Sequence, residues 1–251
     1  MAGDHCFFEH EGSRPLARRA CAEGVGTMLL VLVVAGTAMA LQAGAPGGAG
    51  AALLTTAFAA SGALVALIVA IGPLSGGHFN PLITLLQWLG QERRTDCTLA
   101  YVAAQVLGGL AGAASANALH PAAARVFSGQ GLATTQCLSE FVASAGLLLV
   151  VQLCSRASAR AGGPFAVGAW LGGAIVATPT LSLANPALAA AALVAKGPMA
   201  LRAADAGQFA LIELAGALAA FAIVRLLYPG EASNKADAGS PENMRMTDDK
   251  Q

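Results

Sequence analysis

Two asparagines stand directly before a proline and a short apolar run. The first is Asn80 in G-P-L-S-G-G-H-F-N-P-L-I-T-L-L-Q-W-L-G, from Gly72 to Gly90; the second is Asn185 in P-T-L-S-L-A-N-P-A-L-A-A-A-A-L-V-A-K-G, from Pro179 to Gly197. A carboxamide oxygen can accept a hydrogen bond from the first free N–H groups of a helix. Asn as N-cap, Pro at the first helical position and Gly as a stop together write a short helix. The spacing predicts two of them, at Pro81 to Leu89 and Pro186 to Ala195. Each is about 15 Å long at about 1.5 Å per residue, half of a bilayer core of about 30 Å. Neither crosses a membrane alone. The irregular backbone from Ser75 to Phe79 is tolerated at membrane depth only if buried in protein or lining a wet cavity.

Three acids accompany these stretches. Glu23 and Glu140 open two apolar spans, where an acid can snorkel or favour a helix N-terminus, or can accept N–H bonds from buried loop backbone. Glu213 lies well inside an apolar segment, which makes it a functional-site hypothesis as well as a protonated or hydrogen-bonded structural carboxyl. His78, two residues before Asn80, reads as a loop brace or as a group able to report cytoplasmic pH. The five cysteines, Cys6, Cys21, Cys97, Cys137 and Cys154, have no paired spacing and are expected as free thiols. No nucleophile with a base and no metal-ligand cluster appears, so neither an enzyme nor a metal or other cofactor is expected.

The elements that must hold these residues are membrane helices. A chain of 251 residues at 56% hydrophobic and 11% charged is too apolar for a soluble domain of its size and reads as an all-α polytopic membrane protein. Six spans are predicted, at about 20–42, 51–72, 98–119, 137–155, 164–183 and 209–228. Nothing in the first 19 residues resembles a cleavable signal, and those after 228 cannot bury a core, so 1–19 and 229–251 are expected as cytoplasmic tails, the second disordered. Threading the spans puts Arg14, Arg18, Arg19, Arg93, Arg94, Arg156, Arg160, Arg225, Lys235, Arg245 and Lys250 on one side, against Arg125, Lys196 and Arg202 on the other. Eleven against three places both termini in the cytoplasm. Net charge is zero with no basic patch, so nucleic acid is not expected as a partner.

The chain also repeats itself. Ala22-Glu23 matches Ser139-Glu140, Asn80-Pro81 matches Asn185-Pro186, and A-Q-V-L-G-G from Ala104 matches I-E-L-A-G-A from Ile212, which sets neutral Gln105 opposite Glu213. Each half, 20–119 and 137–228, holds three crossings, so the second is inverted relative to the first. The two half-helices then enter from opposite faces and meet N-terminus to N-terminus near the midplane.

With S-G-G-H-F-N-P, A-N-P-A and one acid opening each half, residues 20–228 resemble the aquaporin or major intrinsic protein family. The resemblance implies an hourglass channel of six transmembrane helices and two half-helices, multi-pass in the cell (inner) membrane, normally a homotetramer with one pore per subunit. It puts Asn80, Pro81, Leu82, Asn185, Pro186 and Ala187 at the pore centre, the two Asn capping the half-helices and donating to the permeating molecule. Glu23 and Glu140 would anchor the loops. Facing helix N-termini place positive partial charge at mid-pore, which opposes cations and favours a neutral hydroxylated solute. Carbonyls around Gly76, Gly77 and His78, and around Ser182, Leu183 and Ala184, would line the path as acceptors.

Selectivity in the resembled family is set toward the outer mouth, by an Arg after the second Asn-Pro-Ala and by three other positions. Here the Arg position is Leu188 and the others fall on Ala60, Ser182 and, in a shortened loop, near Gly173. Three of the four are small, which predicts a wide outer constriction without fixed positive charge. Leu82 replaces the usual Ala, and either narrows the pore centre or points into the bundle. The chain looks like an Arg-less bacterial aquaglyceroporin, a branch associated with arsenic resistance. The expected function is passive transport of water, glycerol-like polyols, urea or neutral metalloid hydroxides such as arsenous acid. A secondary transporter and a non-conducting structural tetramer are the competing readings.

Overall fold

The computed structural model describes residues 14–42, 44, 48–125, 132–157 and 161–229. Most of the two expected tails, together with Cys6, Arg160, Lys235, Arg245 and Lys250, lies outside these residues. The elements among the described residues are eight helices: α1 Leu16–Gln42, α2 Gly48–Ser75, α3 Pro81–Leu89, α4 Thr95–Leu119, α5 Thr134–Arg156, α6 Gly163–Ala177, α7 Pro186–Ala192 and α8 Ala203–Leu227. Helices α1, α2, α4, α5 and α8 are long and apolar enough to cross a membrane.

Helix α6 is the short crossing. Its 15 residues end at Ala177, six before the expected end at 183. Thr178 is extended (φ −121°, ψ 154°) because it precedes Pro179, whose ring excludes the helical conformation from the residue before it. The chain thus leaves the helix early and enters the membrane-depth loop at 178–185. Helix α2 errs the other way. It runs through Pro73, which has no N–H to give, and reaches Ser75, so the irregular stretch begins at Gly76.

The first half-helix, α3, spans the expected residues, with Gly90 as C-cap. The second, α7, stops at Ala192 rather than Ala195. Its last turn is tightened by Leu193 N–H on the carbonyl of Ala190 and Val194 N–H on that of Ala191, and Leu201 N–H takes the carbonyl of Ala192. The carbonyls beyond go to side chains: Asn117 Nδ2 donates to Val194, and the Arg125 guanidinium to Leu193 and Ala195. A cation at a helix C-terminus also complements the helix dipole. Gly197, expected as the stop, instead closes the following turn at φ +67°.

Small residues set the packing within the chain. Helix α1 lies against α4, α5 against α8, and α2 against α6. A Cβ at Gly108 would overlap the carbonyl of Gly24, one at Gly112 the carbonyl of Met28, and one at Gly216 the carbonyl of Phe141. At Gly168 and Gly172 it would overlap Val65 and Ser61 of α2. Close backbone approach is what small-residue spacing of four provides in a membrane bundle. The three helix pairs surround α3 and α7, which meet at the centre.

Candidate functional site

The two half-helices are joined by a reciprocal pair of side-chain bonds. Asn80 Oδ1 accepts Leu82 N–H at 2.9 Å while its Nδ2 donates to the carbonyl of Ala184 at 2.8 Å. Asn185 Oδ1 accepts Ala187 N–H at 3.0 Å while its Nδ2 donates to the carbonyl of Phe79 at 2.8 Å. Each asparagine therefore caps its own helix and ties the residue preceding the other. One amide hydrogen on each side chain remains for a further acceptor.

Phe79 and Ala184 are both left-handed, at φ +48° and +45°, a conformation that costs a residue with a Cβ about 1 kcal/mol or more. Both are pinned at each end. Phe79 N–H donates to Glu23 Oε2 at 2.7 Å and Ala184 N–H to Glu140 Oε2 at 3.0 Å, while their carbonyls take the asparagine amides. Glu23 accepts three bonds more: His78 N–H at 3.0 Å, Ser75 Oγ at 2.6 Å and Gln105 Nε2 at 2.8 Å. Glu140 accepts one more, Leu183 N–H at 3.3 Å. Both acids are fully buried, so neither snorkels to the surface.

A cavity runs past this junction, between α1, α2, α5 and α6. Of the residues picked out by sequence, Asn80, Asn185, Ala60, Ser182, Leu188, Gly76, Gly77, His78 and Leu183 stand on its wall. Pro81, Leu82, Pro186, Ala187 and Ala184 lie off the wall. Leu82 is 2% exposed within the apolar core, so of its two open readings the structure takes the one that points into the bundle. The Ala184 carbonyl, expected along the path, is taken by Asn80.

Gly173 is corrected. The wall of α6 is Val167, Leu171 and Ile175, four apart on one helical face, and Gly173 falls between them on the exposed side, where a Cβ would meet nothing within 4 Å. Ile175 lines the cavity in its place, as Ala60, Ser182 and Leu188 also do. Two of these four residues are bulky and apolar, where the sequence led to an expectation of three small ones. Ser182 Oγ lies 2.8 Å from Thr178 Oγ1.

Sequence reasoning read His78 as a loop brace but missed the buried polar partners behind the first loop. His78 Nδ1 meets Thr84 Oγ1 at 2.9 Å, and Gln105 Nε2 also reaches Thr84 Oγ1 at 3.1 Å. The His78 ring packs edge-on against Tyr101, whose hydroxyl donates to the carbonyl of Ser75 at 2.8 Å. Arg93 stacks on Tyr101 at 4.3 Å and donates from Nε to Gln87. The histidine side chain is thus held as a brace. For Gln105 a signal existed, in its place within the repeated A-Q-V-L-G-G; for Thr84 and Tyr101 none did. None of the four cysteines among the described residues forms a disulfide, in keeping with the absence of paired spacing.

Comparison with known proteins agrees with this architecture. The profile of the family described as MIP, Major intrinsic protein, matches residues 12–182. "Aquaglyceroporin AqpS" of Rhizobium meliloti (strain 1021) is 37% identical over 218 residues, covering 84% of this chain and 91% of that protein. "Lens fiber major intrinsic protein" of Gallus gallus is 39% identical over 108 residues, 43% of this chain and 39% of that one. The solved aquaglyceroporin of Plasmodium falciparum superposes with a TM-score of 0.63 over 83% of this chain and 93% of that one, at 17% identity, a likeness of fold. With a matching profile over most of its length and a relative aligned nearly end to end, the chain belongs to the major intrinsic protein family and is a multi-pass membrane channel.

Proposed function

We propose that this channel passes small uncharged hydroxylated solutes, water among them, with glycerol-like polyols and neutral metalloid hydroxides such as arsenous acid favoured over charged species. The observation that carries this reading is the composition of the cavity wall. Among its described residues none is Asp, Glu, Lys or Arg, and His78 is the only titratable one. An apolar wall with amide donors of Asn80 and Asn185 at its middle can bond a neutral solute's oxygen, and offers an ion nothing to replace its water. No carboxylate and no Lys or Arg stands on that wall among the described residues, and His78 is held by Thr84, which speaks against a secondary transporter. The reading extends to both termini in the cytoplasm, from the excess of basic residues on that side, and to a homotetramer in the inner membrane. Apolar side chains such as Leu54, Phe58 and Leu107 stand exposed, available to lipid or to a second copy.

Stopped-flow light scattering on proteoliposomes tests it with a panel of water, glycerol, urea and arsenite. Flux linear in concentration and indifferent to proton or sodium gradients is the expected result. Saturation with gradient dependence would establish a transporter, and no flux for any of them a structural role.

The mouth residues set the second expectation. Leu188 is 5% exposed and faces the cavity with Ala60. A guanidinium there would bring five donors and a charge into a space now apolar. Leu188→Arg combined with Ala60→Phe should lower the ratio of glycerol or arsenite permeability to water permeability about tenfold or more, the scale on which single pocket contacts discriminate. An unchanged ratio in the folded double variant would remove Leu188 from the selectivity determinants.

A further inference from the structure

We infer that Glu213 is a positioning residue that acts as a carboxylic acid, donating its proton to Glu140 and so holding the loop that precedes Asn185. The inference starts from the internal repeat. In the first half Gly108 meets the carbonyl of Gly24, and in the second Gly216 meets the carbonyl of Phe141, at sequence offsets of 108 and 117 residues. Glu23 and Glu140 are separated by that same 117, and Gln105 and Glu213 by that same 108. Helix α8 therefore sits on α5 as α4 sits on α1. In the first half the residue three before the glycine, Gln105, donates Nε2 to Glu23 at 2.8 Å. In the second half that place belongs to Glu213, whose carboxyl lies beside Glu140 and the backbone N–H of Asn185.

An amide can donate to a carboxylate; a second carboxylate cannot. Glu213 is fully buried, and neither of its oxygens has a hydrogen-bond partner among the described residues. Among the described residues no cation is at hand to neutralise it. Helix α8 packs against α5, α7 and α3. Neither α7 nor α3 carries a titratable residue. On α5 the other such groups are Cys137 one turn outward, Cys154, and Arg156 at the far end beside the Tyr228 ring. On α8 itself Asp205 pairs with Arg202 outside the span and Arg225 lies over Phe221. Two buried carboxyls in contact without a cation are satisfied by one shared proton, which turns Glu213 into the donor that Gln105 is by composition. Glu140 is then held as Glu23 is, with its own bonds to Leu183 and Ala184 aligned.

The proton makes the two halves unlike in one measurable respect. The folded chain binds one proton more than the unfolded chain at Glu213, so its stability falls as pH rises. The purified channel should lose thermal stability and water flux on titration to alkaline pH. Glu213→Gln, which restores a permanent donor, should keep the neutral-pH flux and flatten both profiles, whereas Glu213→Leu should lower stability and flux at every pH. Infrared spectroscopy of the wild type at neutral pH reads the proton directly, whether or not the pore conducts. A carbonyl band of a protonated carboxylic acid should be present, and should be lost in Glu213→Gln. Absence of that band in the wild type would overturn the inference. So would Glu213→Gln behaving as Glu213→Leu does, or a Glu213→Gln pH profile identical to the wild type.

Discussion

Asn185→Leu should abolish solute flux. Two contributions act together. The α7 N-terminus loses its cap, worth about 1 kcal/mol, and the buried Phe79 carbonyl loses its donor, worth about 1–3 kcal/mol. The variant also removes the amide hydrogen left over for the solute, and replaces it with a branched apolar group at the narrow junction. Asn185→Asp separates these effects. Its carboxylate still caps Ala187 N–H, but it neither donates to Phe79 nor to a solute, and it sets a negative charge between two helix N-termini. Flux of water and glycerol should therefore fall nearly as far in Asp as in Leu, with α7 better preserved. Stopped-flow permeability alongside circular dichroism of the reconstituted protein checks both. Undiminished flux in folded Asn185→Leu would remove this side chain from the permeation path.

Glu23→Gln should destabilise the fold more than Glu140→Gln, although the two acids occupy equivalent places. Glu23 receives four hydrogen bonds, from Ser75, His78, Phe79 and Gln105, and Glu140 receives two from loop backbone besides the proton assigned to Glu213. A glutamine keeps one acceptor oxygen and turns its nitrogen, itself a donor, toward groups that must donate. Bonds to a charged acceptor contribute about 1.5–3 kcal/mol each, so losing two of them costs Glu23→Gln about 3 kcal/mol or more. Glu140→Gln can turn its nitrogen toward the Glu213 carboxyl, which then accepts instead of donating, so it loses about one such bond and about half as much. Thermal unfolding in detergent distinguishes them: a drop for Glu23→Gln well beyond that for Glu140→Gln is expected, and equal drops would mean that the extra donors contribute nothing.

What the sequence determined follows from signals that are local or repeated. Asn-Pro followed by an apolar run writes the start of a half-helix within a few residues, so α3 begins and ends where expected and α7 begins there. Spans of about 20 apolar residues place five crossings to within a few residues. The repeat of acid, Asn-Pro and small-residue stretches implies an inverted pair of halves, and with it the meeting of the two N-termini. What only the tertiary structure decided depends on partners far away in the chain. The end of α7 is set by Arg125 and Asn117, some 70 residues earlier, which take the carbonyls a longer helix would have used. Which residue of α6 faces the cavity, Ile175 rather than Gly173, is a matter of helix rotation, and a difference of two residues turns a side chain to the opposite face. Whether Leu82 narrows the pore or fills the core depends on how α3 is rotated against its neighbours. The reciprocal bonds from Asn80 to Ala184 and from Asn185 to Phe79 join groups more than 100 residues apart, and no spacing along the chain encodes them. They arise because buried backbone donors and acceptors must find partners where no water is present, and in this bundle the nearest partner of each half is the other half.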